Sequence, residues 1–147
     1  MHHVAIMRKS WGLIQKILSG EKTVESRWYK SRYPPWNKIS SGDTIYFKDS
    51  GEPVSVKAKA IKVLQFDKLT SEKTKEIFDK YGKSDLGVGK LTNEIPREIK
   101  DYMTNKNYCI LVFFDSVEKV EPFEIDKSGF GSMAAWICAG DIRKIRV

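Results

Sequence analysis

The chain has 147 residues, 41% of them apolar and 12% aromatic, with only two cysteines, Cys109 and Cys138. That is enough chain to bury a core, and it excludes a disordered polymer, a disulfide scaffold and a thiolate zinc module. The formal charge of +7 favours a polyanionic partner through long-range attraction, although lysine-rich surfaces also serve solubility alone.

His3 to Met7 is a short apolar run and predicts a first strand. Trp11, Ile14 and Leu18 follow at helical spacing, with Ser10 as the expected cap and Gly20 as the residue that ends the helix. Thr23 to Trp28 predicts a strand leaving that turn. Tyr33-Pro34-Pro35-Trp36 must be a loop, because proline lacks the donor that a helix or central strand needs. Ser41-Gly42-Asp43 predicts a turn and Thr44 to Phe47 a strand. Val54, Val56, Ala58 and Ala60 alternate with polar residues, as a half-buried strand does. The alternation slips near Ile61 and Val63, which predicts a bulge or bend.

Thr70 opens an expected charged helix carrying Ile77, Phe78 and Tyr81, with Gly82 as its stop and a loop over 85–90. Ile95, Ile99, Tyr102 and Met103 mark a further amphipathic helix with Pro96 in its first turn. Tyr108 to Phe114 is continuously apolar and is expected to be the most buried strand. Val117 to Ile125 reads as another strand, interrupted by Pro122. Ala134 to Cys138 and Ile142 to Val147 read as closing strands. No repeat or linker divides the chain, so residues 1–147 are expected to form one domain. Met1 to Ser19 lacks the pattern of a signal peptide and no run is long enough to span a membrane, so the cytoplasm is the expected location. Nothing in the sequence calls for a metal or an organic cofactor, and none is expected.

The densest chemistry lies in Gly20-Glu21-Lys22-Thr23-Val24-Glu25-Ser26-Arg27. Glu25 and Arg27 are two apart on a strand and so share a face. Lys22 sits at the turn, where it can swing towards Glu25. Arg27 suits bidentate binding of phosphate or a carbonyl edge. Glu25 suits a base amino group or proton transfer. Lys22 suits a phosphate contact or, with a lowered pKa, a base. The bland alternative is an ion-pair cluster that pins the helix to the sheet. Trp28, Tyr29, Tyr33 and Trp36 offer stacking surfaces. Alternation keeps Trp28 and Tyr29 from both facing a cleft, so one of them belongs to the core. Tyr33 and Trp36 are the expected pocket wall or, alternatively, a plug over one end of a barrel. Lys30, Arg32, Lys38 and Lys48 are the expected basic rim.

The spacing Gly20-x-Lys22-x-x-Glu25-x-Arg27 resembles the signature of the ASCH family, a branch of the PUA-like superfamily. The order around it is similar too: a preceding helix, Ser41 to Phe47, the long strand from Val54, and Val120-Glu121-Pro122 before a final strand. The segment from Lys68 to Asn107 has no match. The resemblance implies an α+β fold, a PUA-like small β-barrel of five to six mixed strands with about three flanking helices. It implies an RNA- or modified-nucleotide-binding module whose cleft uses Lys22, Glu25, Arg27, Trp28, Lys30, Arg32, Tyr33, Trp36 and Lys48. The alternative is a hydrolase acting on RNA or a modified nucleoside, with Lys22 and Glu25 as acid/base residues. Small ASCH proteins include acetylcytidine amidohydrolases, whose threonine nucleophile stands where this chain has Glu25. Thr23, on the other strand face, is a poor substitute. A second carboxylate is not assignable from sequence among Glu72, Asp79 and Asp85.

Overall fold

The structure is a computed structural model, and it describes residues 1–87 and 97–147. Expectations for Ile95, Pro96 and the rest of 88–96 fall outside it, as does the Ile99 side chain. The strands are β1 (His2–Met7), β2 (Val24–Tyr29), β3 (Thr44–Asp49), β4 (Val54–Phe66), β5 (Tyr108–Phe123) and β6 (Trp136–Gly140). The helices are α1 (Leu13–Ser19), α2 (Ser71–Leu86) and α3 (Arg97–Met103). One mixed sheet runs β2-β5-β4-β3-β1-β6, parallel only between β1 and β3. The expected α+β architecture is therefore present, with six mixed strands and three helices among the described residues. The sheet curls into a half-barrel whose two edges, β2 and β6, share no ladder. Among the described residues no helix is long and apolar enough to cross a membrane.

The curl has a sequence cause. Val56, Ala58 and Ala60 point into the concave core with Phe47 and Ile110. Strict alternation would continue with Lys62 and Leu64. Instead the register shifts between Ala60 and Lys62, so Val63 turns inward while Leu64 and Phe66 turn towards the helices. The bulge bends β4 and lets one strand serve both faces. β5 is buried on both faces over its first half. Ile110 and Val112 enter the concave core, whereas Cys109 and Leu111 pack with Ile77 of α2 and Met103 of α3. That double burial explains the unbroken apolar run.

Several boundaries differ from expectation. Ser10 does not cap α1: it lies in a 3-10 turn, Lys9–Trp11, and the α1 N-cap is Gly12 in the left-handed region. Gly82 does not end α2. It lies buried within the helix and lines a small void together with Ser26 and Trp28. The stop is Gly87, with φ 66° and its N–H on the Lys83 carbonyl. A Cβ on Gly87 would stand 2.8 Å from Cδ of Lys16, so glycine is required there for space as well as for conformation. Pro122 does not interrupt its strand, and the two strands expected over 108–114 and 117–125 are one, Tyr108–Phe123. β5 runs through because Val54 faces Phe123 while Val56 faces Lys119, and the bulge between them absorbs the missing donor. The closing strand over 142–147 is a 3-10 turn, Ile142–Lys144, followed by a single bridge between Ile125 and Arg146.

His3 is a buried polar anchor in β1. Trp136 donates its indole N–H to Nδ1 of His3 at 3.1 Å, which leaves Nε2 to carry the proton and donate to Asp43 Oδ2 at 2.8 Å. Burial lowers the His3 pKa from its ordinary 6.5, outweighing the upward pull of Asp43. The folded state thus prefers neutral His3. Its contribution is complete above that ordinary value and is lost as pH falls below it. Urea midpoints should fall between pH 7 and pH 5, and His3→Phe should flatten that slope. An unchanged slope in the variant would remove His3 as its cause.

Candidate functional site

The motif segment is built against the end of α2. A helix leaves its last four carbonyls without internal partners. Here Gly87 N–H takes the Lys83 carbonyl at 2.8 Å and Thr23 N–H takes that of Ser84 at 2.9 Å. Lys22 Nζ donates to the Asp85 carbonyl, and Lys16 Nζ donates to that of Leu86 at 3.1 Å. Two lysines thus sit where the helix dipole favours positive charge. Gly20, with φ 83°, ends α1 and turns the chain so that Lys22 arrives there.

Lys22 is fully buried and donates further to Val24 O at 2.6 Å, Asp85 Oδ1 at 2.8 Å and Glu25 Oε1 at 3.0 Å. Glu25 Oε2 accepts from Arg27 Nε at 3.2 Å and Nη2 at 2.8 Å. Arg27 then crosses the open seam of the sheet. Its Nη1 donates to Ala135 O at 3.0 Å and its Nη2 to Ile6 O at 3.2 Å, with Trp136 stacked 5.2 Å from the guanidinium. Asp85 holds the free edge of β2, accepting from Ser26 N–H at 3.0 Å and from Ser26 Oγ at 2.6 Å. Trp28 N–H on the same edge donates to Tyr102 Oη of α3 at 3.2 Å. A strand edge that would invite a foreign strand is thereby covered.

The electrostatics follow from this packing. Burial alone would push the Lys22 ammonium down, but Asp85 and Glu25 outweigh it and hold the pKa above its ordinary value. Burial alone would push the Glu25 carboxyl up, but Lys22 and Arg27 outweigh it and hold the pKa below the ordinary value. Arg27 is likewise raised, against its own desolvation, chiefly by Glu25. Two cations and two carboxylates make a neutral buried network.

A cleft of about 340 Å³ opens over this network. Glu25 and Arg27 form its buried base, and Trp11, Tyr29 and Tyr102 border it. Arg8 and Lys106 stand at its rim. Arg8 lies 5.0 Å from the Trp11 ring and Lys106 5.7 Å from the Tyr102 ring. Neither has a carboxylate partner among the described residues. The buried indole N–H of Trp11 has no partner either. Glu25, in contrast, already accepts on both oxygens. The open polar groups are therefore donors and cations, which fit an anionic or carbonyl-bearing ligand. Among the described residues no group of three or more His, Cys, Asp or Glu could hold a metal ion.

The structure brings together Lys22, Glu25, Arg27 and Trp28 of the expected site residues. Trp28 and Tyr29 pack in different core clusters, Trp28 with its indole N–H on Ser26 Oγ at 2.9 Å, yet both line the cleft, contrary to the expectation from alternation. The other expected residues do not line the cleft. Tyr33 is 59% exposed on its loop, and Trp36 packs edge-on against Tyr108 at 5.0 Å as a plug on the core. Arg32 stacks on Tyr108 at 5.6 Å, while Lys30 and Lys38 are exposed. Lys48 is buried on β3, on the face opposite Phe47, and its charged surroundings are Glu124, Lys127 and Glu52. Arg8, Trp11, Asp85, Tyr102 and Lys106 were not among the expected site residues. The available signal was a cation three or four residues from an aromatic, in Arg8–Trp11 and Tyr102–Lys106.

No protein-family model matches the chain, and no curated protein sequence does. Solved structures do. The ASCH protein of Zymomonas mobilis superposes with a TM-score of 0.63 at 16% identity, over 97% of this chain and 92% of that one. A point mutant of it gives 0.64 at 16%, over 92% and 88%. The chain has the ASCH fold. At this identity the likeness speaks for the architecture, and within that ASCH fold the site rests on this chain's own geometry.

The network predicts strong coupling. Lys22→Met should cost about 3–5 kcal/mol in urea unfolding, because it leaves two buried carboxylates facing one guanidinium. Adding Asp85→Asn should recover at least about 1 kcal/mol of that loss. Simple additivity of the two substitutions would show that the pair is not coupled.

Proposed function

We propose that this chain is a binding module for RNA or a modified nucleotide, held in the cleft above Glu25 and Arg27. The observation that carries this reading is the pairing of open cations with aromatic walls, Arg8 with Trp11 and Lys106 with Tyr102, over a floor whose own charges are neutralised. A base stacks on the aromatic rings and its phosphate meets Arg8 and Lys106. Such stacking contributes about 1–3 kcal/mol per base. The Trp11 indole N–H suits a carbonyl oxygen of the base. Lys22 positions Glu25 and Arg27 without touching the ligand. The α+β fold shared with ASCH proteins is compatible with this role but does not by itself assign it.

Turnover by a Lys22–Glu25 acid/base pair gains no support from the electrostatics. A general base needs a pKa near neutrality, and both residues are displaced away from it. Lys22 also has no accessible surface from which to meet a substrate.

Fluorescence anisotropy with a short single-stranded RNA at a series of salt concentrations tests the assignment. Binding should weaken as salt rises, and the RNA should remain intact by mass. Arg8→Ala should weaken binding about tenfold and reduce the salt slope by about 1, with unfolding unchanged. Salt-independent binding, or an Arg8→Ala protein with full affinity, would move the site elsewhere.

A further inference from the structure

A second depression, of about 600 Å³, adjoins the cleft. It lies between the first turns of α2 and the loop that joins α3 to β5. Met103 and Lys106 line both, so the two are walls of one continuous surface. The groove floor is apolar, with Phe78 and Met103, and its sides carry Thr74, Lys75 and Asn105. Lys75 is exposed and unpaired among the described residues, and no described lining residue is acidic. Cations, neutral donors and an aromatic ring along a trough are the elements that track a single strand: positive charge for the phosphates and ring faces for the bases.

Size separates the roles of the two spaces. Small-ligand pockets occupy roughly 300–1,000 Å³, and the cleft lies at the bottom of that range. That volume suits a ligand the size of one nucleotide. The groove is nearly twice as large and more open, which suits a chain passing through. Lys106, at the junction, is placed to hold the phosphate that links the nucleotide in the cleft to the next one.

We infer that the groove carries the strand next to the nucleotide held in the cleft, so that the ligand is a single-stranded RNA segment of two or more nucleotides. This rests on the reading of the cleft given above. It also gives a function to residues 69–78 and 103–107.

The test is a length series. Random-sequence RNA of one to six nucleotides, the shortest being a mixture of nucleoside 5′-monophosphates, is titrated against the whole chain by calorimetry. Affinity should rise at least about tenfold between one and three nucleotides. Lys75→Ala and Lys75→Glu, at an exposed helix position, should cancel most of that rise and leave monophosphate binding unchanged. Arg8→Ala should weaken every length. If monophosphates bind as tightly as trimers, or if Lys75→Glu leaves the length dependence intact, the groove is not a strand path while the cleft reading survives. If no length binds at all, the cleft reading fails and the groove proposal fails with it.

Discussion

The structure depends on one buried exchange of charge, Lys22–Glu25–Arg27 with Asp85. Removing each of these ions from water costs several kcal/mol, and their attraction offsets that cost only if the geometry is good and the remaining hydrogen bonds are filled. Both conditions hold. Lys22 reaches four acceptor oxygens, and Arg27 spends its fork on Glu25 and on two backbone carbonyls. What the network provides in return is closure. A half-barrel with no ladder between β2 and β6 has a seam, and the Arg27 guanidinium spans it to Ile6 and Ala135. Asp85 and Lys22 meanwhile lock the end of α2 onto the outer edge of β2. Apolar side chains of similar volume could fill that space but could not satisfy the carbonyls at the helix end and across the seam.

The same geometry separates two kinds of cation. Lys22 and Arg27 are neutralised by Glu25 and Asp85, so their charge is spent within the fold. Arg8 and Lys106 lie over aromatic rings and have no carboxylate partner among the described residues. An approaching anion feels the second pair far more than the first. On the proposed reading this divides the motif from the binding surface: the motif shapes the cleft floor, and the attraction comes from segments outside it. The division also accounts for the direction of the pKa shifts, which the ion network itself produces. Perturbed values often mark active sites, yet structural ion networks perturb them as well. Here the direction decides. A lysine held protonated and a glutamate held ionised are two groups fixed in their resting states.

How much of this was legible in the sequence follows from the range of each interaction. Glu25 and Arg27 share a strand face by simple alternation, and Lys22 is close enough along the chain to reach them. Those relations are local, and they were readable. The bulge in β4 was readable too, because Ala60 and Val63 break parity within a few residues. Asp85 was not. Its role requires α2 to run past Gly82, and a glycine on a buried helix face looks the same in sequence as a glycine at a helix end. The difference lies in β2, whose Ser26 engages Asp85 on the turn of α2 beyond Gly82.

The aromatic residues show the same limit in reverse. Tyr33 and Trp36 lie near the motif in sequence, which made them natural walls for a pocket. The chain turns at Pro34-Pro35 and carries Trp36 onto Tyr108 instead. Trp11 and Tyr102 are 91 residues apart, and their rings meet at 5.8 Å. What joins them is α3, placed over the edge of β2 by the Trp28–Tyr102 hydrogen bond. A residue whose hydroxyl seals a strand edge also offers its ring to the cleft. Because Tyr102 does both, the element that stabilises the open edge sets the width of the cleft, and neither could be inferred before the other was known.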